Sequence, residues 1–233
     1  MSKKRIALLM AVVMVLGVAV GSTMAWLTDS TKEVVNTFTV GDINIDLKEH
    51  EFKYTETTGT GALTENEVLH NNYLFVPGAE LAKDPFITVE EGSEACWLFV
   101  KVDEKNNTDL DSTEEGVDKI IDWDIDSTAG WEKVAGTNNV WFIKVDQKTA
   151  IEGKVYNVLA DKKITVSPNV TKDMVDDING VIKEGSNKEY EKQPAKPQLI
   201  FTAYAIQSAN LKSGETVVNT AAAAWELVKP TNP

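Results

Sequence analysis

Apolar and polar residues alternate with a period of two through much of the chain, the pattern of strands with one buried and one solvated face. Ile43, Ile45 and Leu47 alternate with Asp42, Asn44, Asp46 and Lys48, so residues 36–47 read as extended chain. Residues 85–90, 95–103, 122–127, 140–146 and 198–208 follow as further β-rich runs. Turn clusters punctuate them, among them Gly59-Thr60-Gly61, Val76-Pro77-Gly78 and Gly136-Thr137-Asn138-Asn139. Short strands separated by turn residues predict an all-β fold, an antiparallel β-sandwich with short helical embellishments.

Three stretches carry helical signals. Ser112 or Thr113 ahead of Glu114-Glu115 can cap a short helix through Ile121. Asn169 or Thr171 can start another over residues 170–183, where Val175, Ile178 and Ile182 fall on one stripe. Residues 213–225 contain the block Ala221 to Ala224, which has the highest helix propensity available. The polar stretch 186–196, with Pro194, reads as a loop, and no long-period repeat is visible.

Composition narrows the function. A net charge of −13 opposes nucleic-acid binding, which rests on Lys and Arg neutralising phosphates. One cysteine cannot close an intrachain disulfide, and two histidines, His50 and His70, are spaced wrongly for a His-Glu-x-x-His zinc site. Both histidines stand in polar sequence and read as surface residues. Cys96 falls on the face of Leu98, Val100 and Val102 and reads as a small buried core residue. No nucleophile elbow and no phosphate-cradling loop is present, so no catalytic residue and no cofactor is expected. The run Asp109-x-Asp111-x-Thr113 starts like a calcium loop but has neither the glycine nor the closing glutamate. Asp122, Asp124 and Asp126, alternating with Trp123 and Ile125, describe the solvated face of a strand, and no metal site is expected there.

The N-terminus reads as an address. Lys3, Lys4 and Arg5 precede the apolar run from Ile6 to Val20, and small residues lead to a cleavage point between Ala25 and Trp26. Residues 1–25 are therefore expected to be a secretory signal peptide; the apolar run is shorter than the roughly 20 residues of a membrane span. The membrane is then a partner only during export, and a signal peptidase is the processing partner.

The residues around this boundary, Ala19-Val20-Gly21-Ser22-Thr23-Met24-Ala25-Trp26-Leu27-Thr28-Asp29-Ser30 and then Asn36-Thr37-Phe38-Thr39-Val40-Gly41-Asp42-Ile43, resemble the start of the TasA/camelysin family. Val76-Pro77-Gly78 through Lys83-Asp84-Pro85 to Val100-Lys101-Val102 is similar to its next segment, and Thr202-Ala203-Tyr204-Ala205-Ile206-Gln207 with Ala224-Trp225 to its closing one. Within the family the layout resembles the clostridial BsaA-type biofilm matrix pilins. The resemblance implies a jelly-roll sandwich over residues 40–228 that builds extracellular matrix fibres, with other copies of itself as partner. It also implies donor-strand exchange by residues 26–39, in which Trp26, Leu27, Val34, Val35 and Phe38 enter the sheet of the next subunit. The alternative is that this segment is the first strand of its own sheet. The alternative functions are a camelysin-like secreted metallopeptidase, for which this sequence lacks the ligand constellation, and a monomeric surface binding module.

Residues 229–233 end in Lys229-Pro230-Thr231-Asn232-Pro233, whose Pro-Thr pair is similar to the core of sortase sorting signals. No glycine, hydrophobic stretch or basic tail follows it, as a wall-anchored protein would have. Read this way, a sortase is a further partner, Thr231 supplies an acyl group, and Lys48 accepts it in an intermolecular isopeptide bond, with Lys32 as second choice. The other reading is an ordinary disordered tail.

Overall fold

The computed structural model describes residues 28–30, 42–55, 61–74, 76–107, 119–170 and 196–230. Its strands are β1 (Thr28–Ser30), β2 (Ile45–Tyr54), β3 (Gly61–Val68), β4 (Glu80–Ala82), β5 (Phe86–Val89), β6 (Cys96–Lys105), β7 (Ile121–Asp122), β8 (Glu132–Lys133), β9 (Val140–Val145), β10 (Lys154–Asn157), β11 (Lys163–Val166), β12 (Gln198–Gln207), β13 (Lys212–Ser213) and β14 (Thr216–Val217). Among the described residues there are two α-helices, α1 (Gln147–Glu152) and α2 (Ala221–Val228), and two single 3-10 turns. One sheet has the order β1-β12-β6-β9-β8 and another β10-β5-β2-β3, with antiparallel pairing throughout. The expected all-β, jelly-roll-like antiparallel sandwich with short helices is the fold observed.

The core explains the sequence pattern. Ile45, Ile87 and Val89 of one sheet meet Cys96, Leu98, Val100, Ile143, Ala203 and Ala205 of the other. Trp97 and Phe99 face the opposite side of β6, where they pack with Tyr204, Ile206 and helix α2. Burial on both faces is why this stretch of β6 is a near-continuous apolar run. A third cluster, with Phe52, Leu81, Ile121, Leu159, Ile164 and Val166, closes one end under the small sheet β4-β11-β7.

Cys96 is fully buried on the expected face, and burial pushes its thiol up to about 12. A thiol at that value holds almost no thiolate at neutral pH. Native protein is therefore expected to leave Cys96 unlabelled by a disulfide reagent such as DTNB and to react fully once denatured; rapid labelling of the native form would contradict this placement.

Several local expectations are corrected. The helix expected to run through Ile121 does not reach it: Ile121 opens β7, because the Asn107 side chain accepts from its N–H at 2.7 Å and donates to its carbonyl at 2.9 Å. The rest of that segment, 108–118, lies outside the described residues, as does the second expected helix beyond residue 170. The third begins later than expected. Ser213 and Thr216 pair across a tight turn at Gly214, whose φ is +62°, and helix α2 starts only after Thr220, whose hydroxyl accepts from the Ala223 N–H. The strand expected at 122–127 stops at Asp122, since the Asp126 carboxylate instead caps the 3-10 turn at Ser127–Ala129. β2 extends to Tyr54, beyond the expected boundary at Leu47. β3, β10 and β11 carry weaker signals and were not expected from the sequence; β3 reads GALTENEV and is largely exposed. β3 can close on β2 there because Gly61 has no Cβ, which would sit 2.5 Å from the Lys53 carbonyl oxygen.

Candidate functional site

β12 is paired along the whole of one edge and, among the described residues, at three positions of the other. It pairs with β6 along its whole length, from Gln198 opposite Lys105 to Gln207 opposite Cys96. On the other edge Thr28, Asp29 and Ser30 stand opposite Ile206, Ala205 and Tyr204. Among the described residues no other strand lies on that edge, so the stretch from Gln198 to Thr202 has no described strand beside it. Leu199, Ile200 and Phe201 in this stretch are half-buried. The edge therefore combines backbone donors and acceptors with apolar side chains, the two features that an added strand uses.

Within one chain, Thr28–Ser30 pairs with β12 as β1, the arrangement of the alternative reading in which this segment is the first strand of its own sheet. Ala25, Trp26, Leu27, Val34, Val35 and Phe38 lie outside the described residues, as do Lys32 and Thr231.

Lys48 sits in the middle of β2, paired with Phe86 of β5, and not at the strand end expected from the sequence. It belongs to the four-stranded sheet, whereas β1 belongs to the other, so the proposed acceptor and the N-terminal strand are not on one sheet. Its ammonium lies 2.8 Å from Asp46 and 2.9 Å from Glu67, with 35% of the side chain exposed. Hydrogen bonds to Asp46 and then Glu67 hold this amine well above the ordinary lysine range. It is accessible but firmly protonated, and nucleophilic attack requires one of the two carboxylates to take its proton.

A second cluster was not visible in the sequence. Glu49 shares the core-facing register of Ile45 and Leu47, and Lys83 and Asp84 come from the link between β4 and β5. Lys83 Nζ is 2.5 Å from Glu49 Oε2, with both residues buried. The next pair in register repeats the contact: Asp84 accepts from the His50 N–H at 3.0 Å and meets His50 Nδ1 at 2.7 Å. His50 is thus half-buried and paired, where the sequence reading made it a surface residue. Tyr73 and Phe201 each place a ring 5.4 Å from the Lys83 ammonium. Burial, with Glu49 and Asp84 nearby, pushes the Tyr73 hydroxyl far above the usual phenol range. Phe201 belongs to the stretch of β12 with no described strand beside it, so this ionic block supports that part of β12 from beneath.

Among the described residues no three His, Cys, Asp or Glu side chains converge as a metal site, and no helix is long and apolar enough to cross a membrane. No family model, no curated protein and no solved structure matches the chain.

Proposed function

We infer that the protein is a structural subunit of an extracellular fibre, built by donating the mature N-terminal segment of one copy to the β12 edge of the next. The observation that supports this reading is the mismatch on that edge: a ten-residue strand flanked, among the described residues, by a three-residue partner. The resemblance to exported biofilm-matrix subunits points the same way. In the register of β1, an incoming strand continued past Ser30 sets Val34 opposite Ile200 and Val35 opposite Leu199. Two β-branched residues would then meet the half-buried stretch that has no described strand beside it. Removal of the signal peptide frees this segment and so acts as the assembly switch. The acidic chain makes fibres repel at their sides, so salt tunes bundling.

A covalent lock can follow. A sortase cleaving after Thr231 releases Asn232-Pro233 and holds the threonine as a thioester; the Lys48 amine of another copy attacks the carbonyl, the enzyme thiolate leaves, and an amide remains. Asp46 or Glu67 takes the ammonium proton.

Deleting residues 26–35 tests the assembly. The truncated protein is expected to stay folded and to form no fibres by electron microscopy; fibres of normal length would overturn the donor role. Mass spectrometry of boiled polymer from the same cells tests the lock separately, through a Thr231–Lys48 peptide that vanishes in Lys48→Ala.

A further inference from the structure

Three of the six tryptophans in the chain, Trp123, Trp131 and Trp141, line one cleft of about 910 Å³, a volume typical of ligand sites. The cleft lies between the end of β6, the connection from β7 to β8, and β9, and neither Lys48 nor any residue of β12 lines it. The three indoles differ in their environments. Trp131 is buried, donates to the Asn157 carbonyl at 2.7 Å and packs edge-on against Tyr156, so it forms the floor. Trp123 and Trp141 are half-buried and meet edge to face with centroids 5.7 Å apart. The Trp123 N–H donates to Glu104 at 2.6 Å, which fixes the plane of its ring. Around these rings stand Asp124, Asn138 and Asn139, groups that donate to and accept from hydroxyls.

We propose that this cleft binds a stretch of neutral polysaccharide. A pyranose ring has a face of C–H bonds that stacks on an indole and a rim of hydroxyls that pairs with amides and carboxylates; rigid aromatic faces bordered by Asn and Asp offer both. Asn139 is already paired with Asp103 at 2.7 Å, but Asp124 and Asn138 are exposed, and a purely apolar ligand would take them from water without a replacement, at a cost. A polyanion is opposed by Asp103, Glu104 and Asp124 on the lining and by the net charge of −13. Without ligand, the ammonium groups of Lys133 and Lys119 lie 5.6 Å from Trp141 and 5.8 Å from Trp123. Lys133 is exposed on the edge strand β8 and swings aside to admit the sugar, whereas Lys119 is held by Glu104 at 2.7 Å and stays. Trp141 is therefore the main stacking platform. This site does not depend on the fibre reading, because every residue in it comes from one copy.

The test is a titration of the purified chain, followed by tryptophan fluorescence and by indole N–H resonances. The probes are cellohexaose, chitohexaose, laminarihexaose and mannohexaose, with hexagalacturonate as the anionic contrast. At least one neutral hexasaccharide is expected to saturate the signal, Trp141→Ala to weaken binding at least about tenfold, and Lys133→Ala to strengthen it. Asn138→Ala, on an exposed turn, weakens binding without touching the core and covers the case in which Trp141→Ala fails to fold. Absence of saturable binding by every neutral probe up to about 10 mM, binding of hexagalacturonate alone, or affinity unchanged in both Trp141→Ala and Asn138→Ala would overturn the proposal.

Discussion

Lys83→Met is expected to lower the unfolding free energy by about 3–5 kcal/mol, because it leaves the buried Glu49 carboxylate without its counter-charge. The asymmetry of buried ion pairs makes the prediction specific. The pair itself roughly balances its desolvation, so its presence says little about net stability, but removing one partner strands the other. The double variant Lys83→Met/Glu49→Leu is expected to recover most of the loss, since two apolar side chains of similar volume need no solvation. Urea midpoints at an unchanged m-value measure both. A single variant within about 1 kcal/mol of the parent would mean that water reaches Glu49 and that the block is not closed. The consequence extends to the assembly proposed above, because Phe201 packs over Lys83 and also belongs to the stretch of β12 with no described strand beside it. Fibre formation should therefore be slowed by Lys83→Met more than by an equally destabilising change in β5.

How much of this could be read in advance depended on whether a local pattern carried it. β5, β6, β9 and β12 show strong apolar runs, and their placement matches the expected segments to within a residue or two. The buried face of Cys96 followed from period two alone. The ionic block did not, although Glu49 already had the register of Ile45 and Leu47: residue type argued for solvent, and only Lys83, 34 positions along the chain, makes its burial acceptable. In the sequence, Lys83-Asp84-Pro85 carries a family resemblance and no physical signal of its own. The environment of Lys48 was hidden for a related reason, since Glu67 lies on β3, a strand with few β-formers that is held by pairing to β2. The tryptophan cleft has no sequence signal, because Trp123 and Trp141 are brought together by tertiary packing and the β8–β9 pairing.

Trp225→Ala is expected to cost a further about 3–5 kcal/mol, the range for removing a buried tryptophan without refilling its space. Helix α2 presents Ala221, Ala224, Trp225 and Val228 on one stripe, all buried against the outer face of the five-stranded sheet. Trp225 is the only large side chain in that stripe, and its ring sits 5.4 Å from Phe99 of β6 and 5.2 Å from Tyr204 of β12. Three of the four stripe residues are small or β-branched and cannot expand into the vacancy, so the helix must shift or leave a cavity. The effect should be local as well as global. Tyr204 stands opposite Ser30, at the junction between β1 and β12, so loss of the indole frees the residue that positions the N-terminal strand. Hydrogen exchange should therefore accelerate at Tyr204–Ile206 well before it does at Phe86–Val89 in the other sheet. Exchange that rises equally in both sheets would show that α2 stabilises the sandwich as a whole and has no particular hold on the β1–β12 junction.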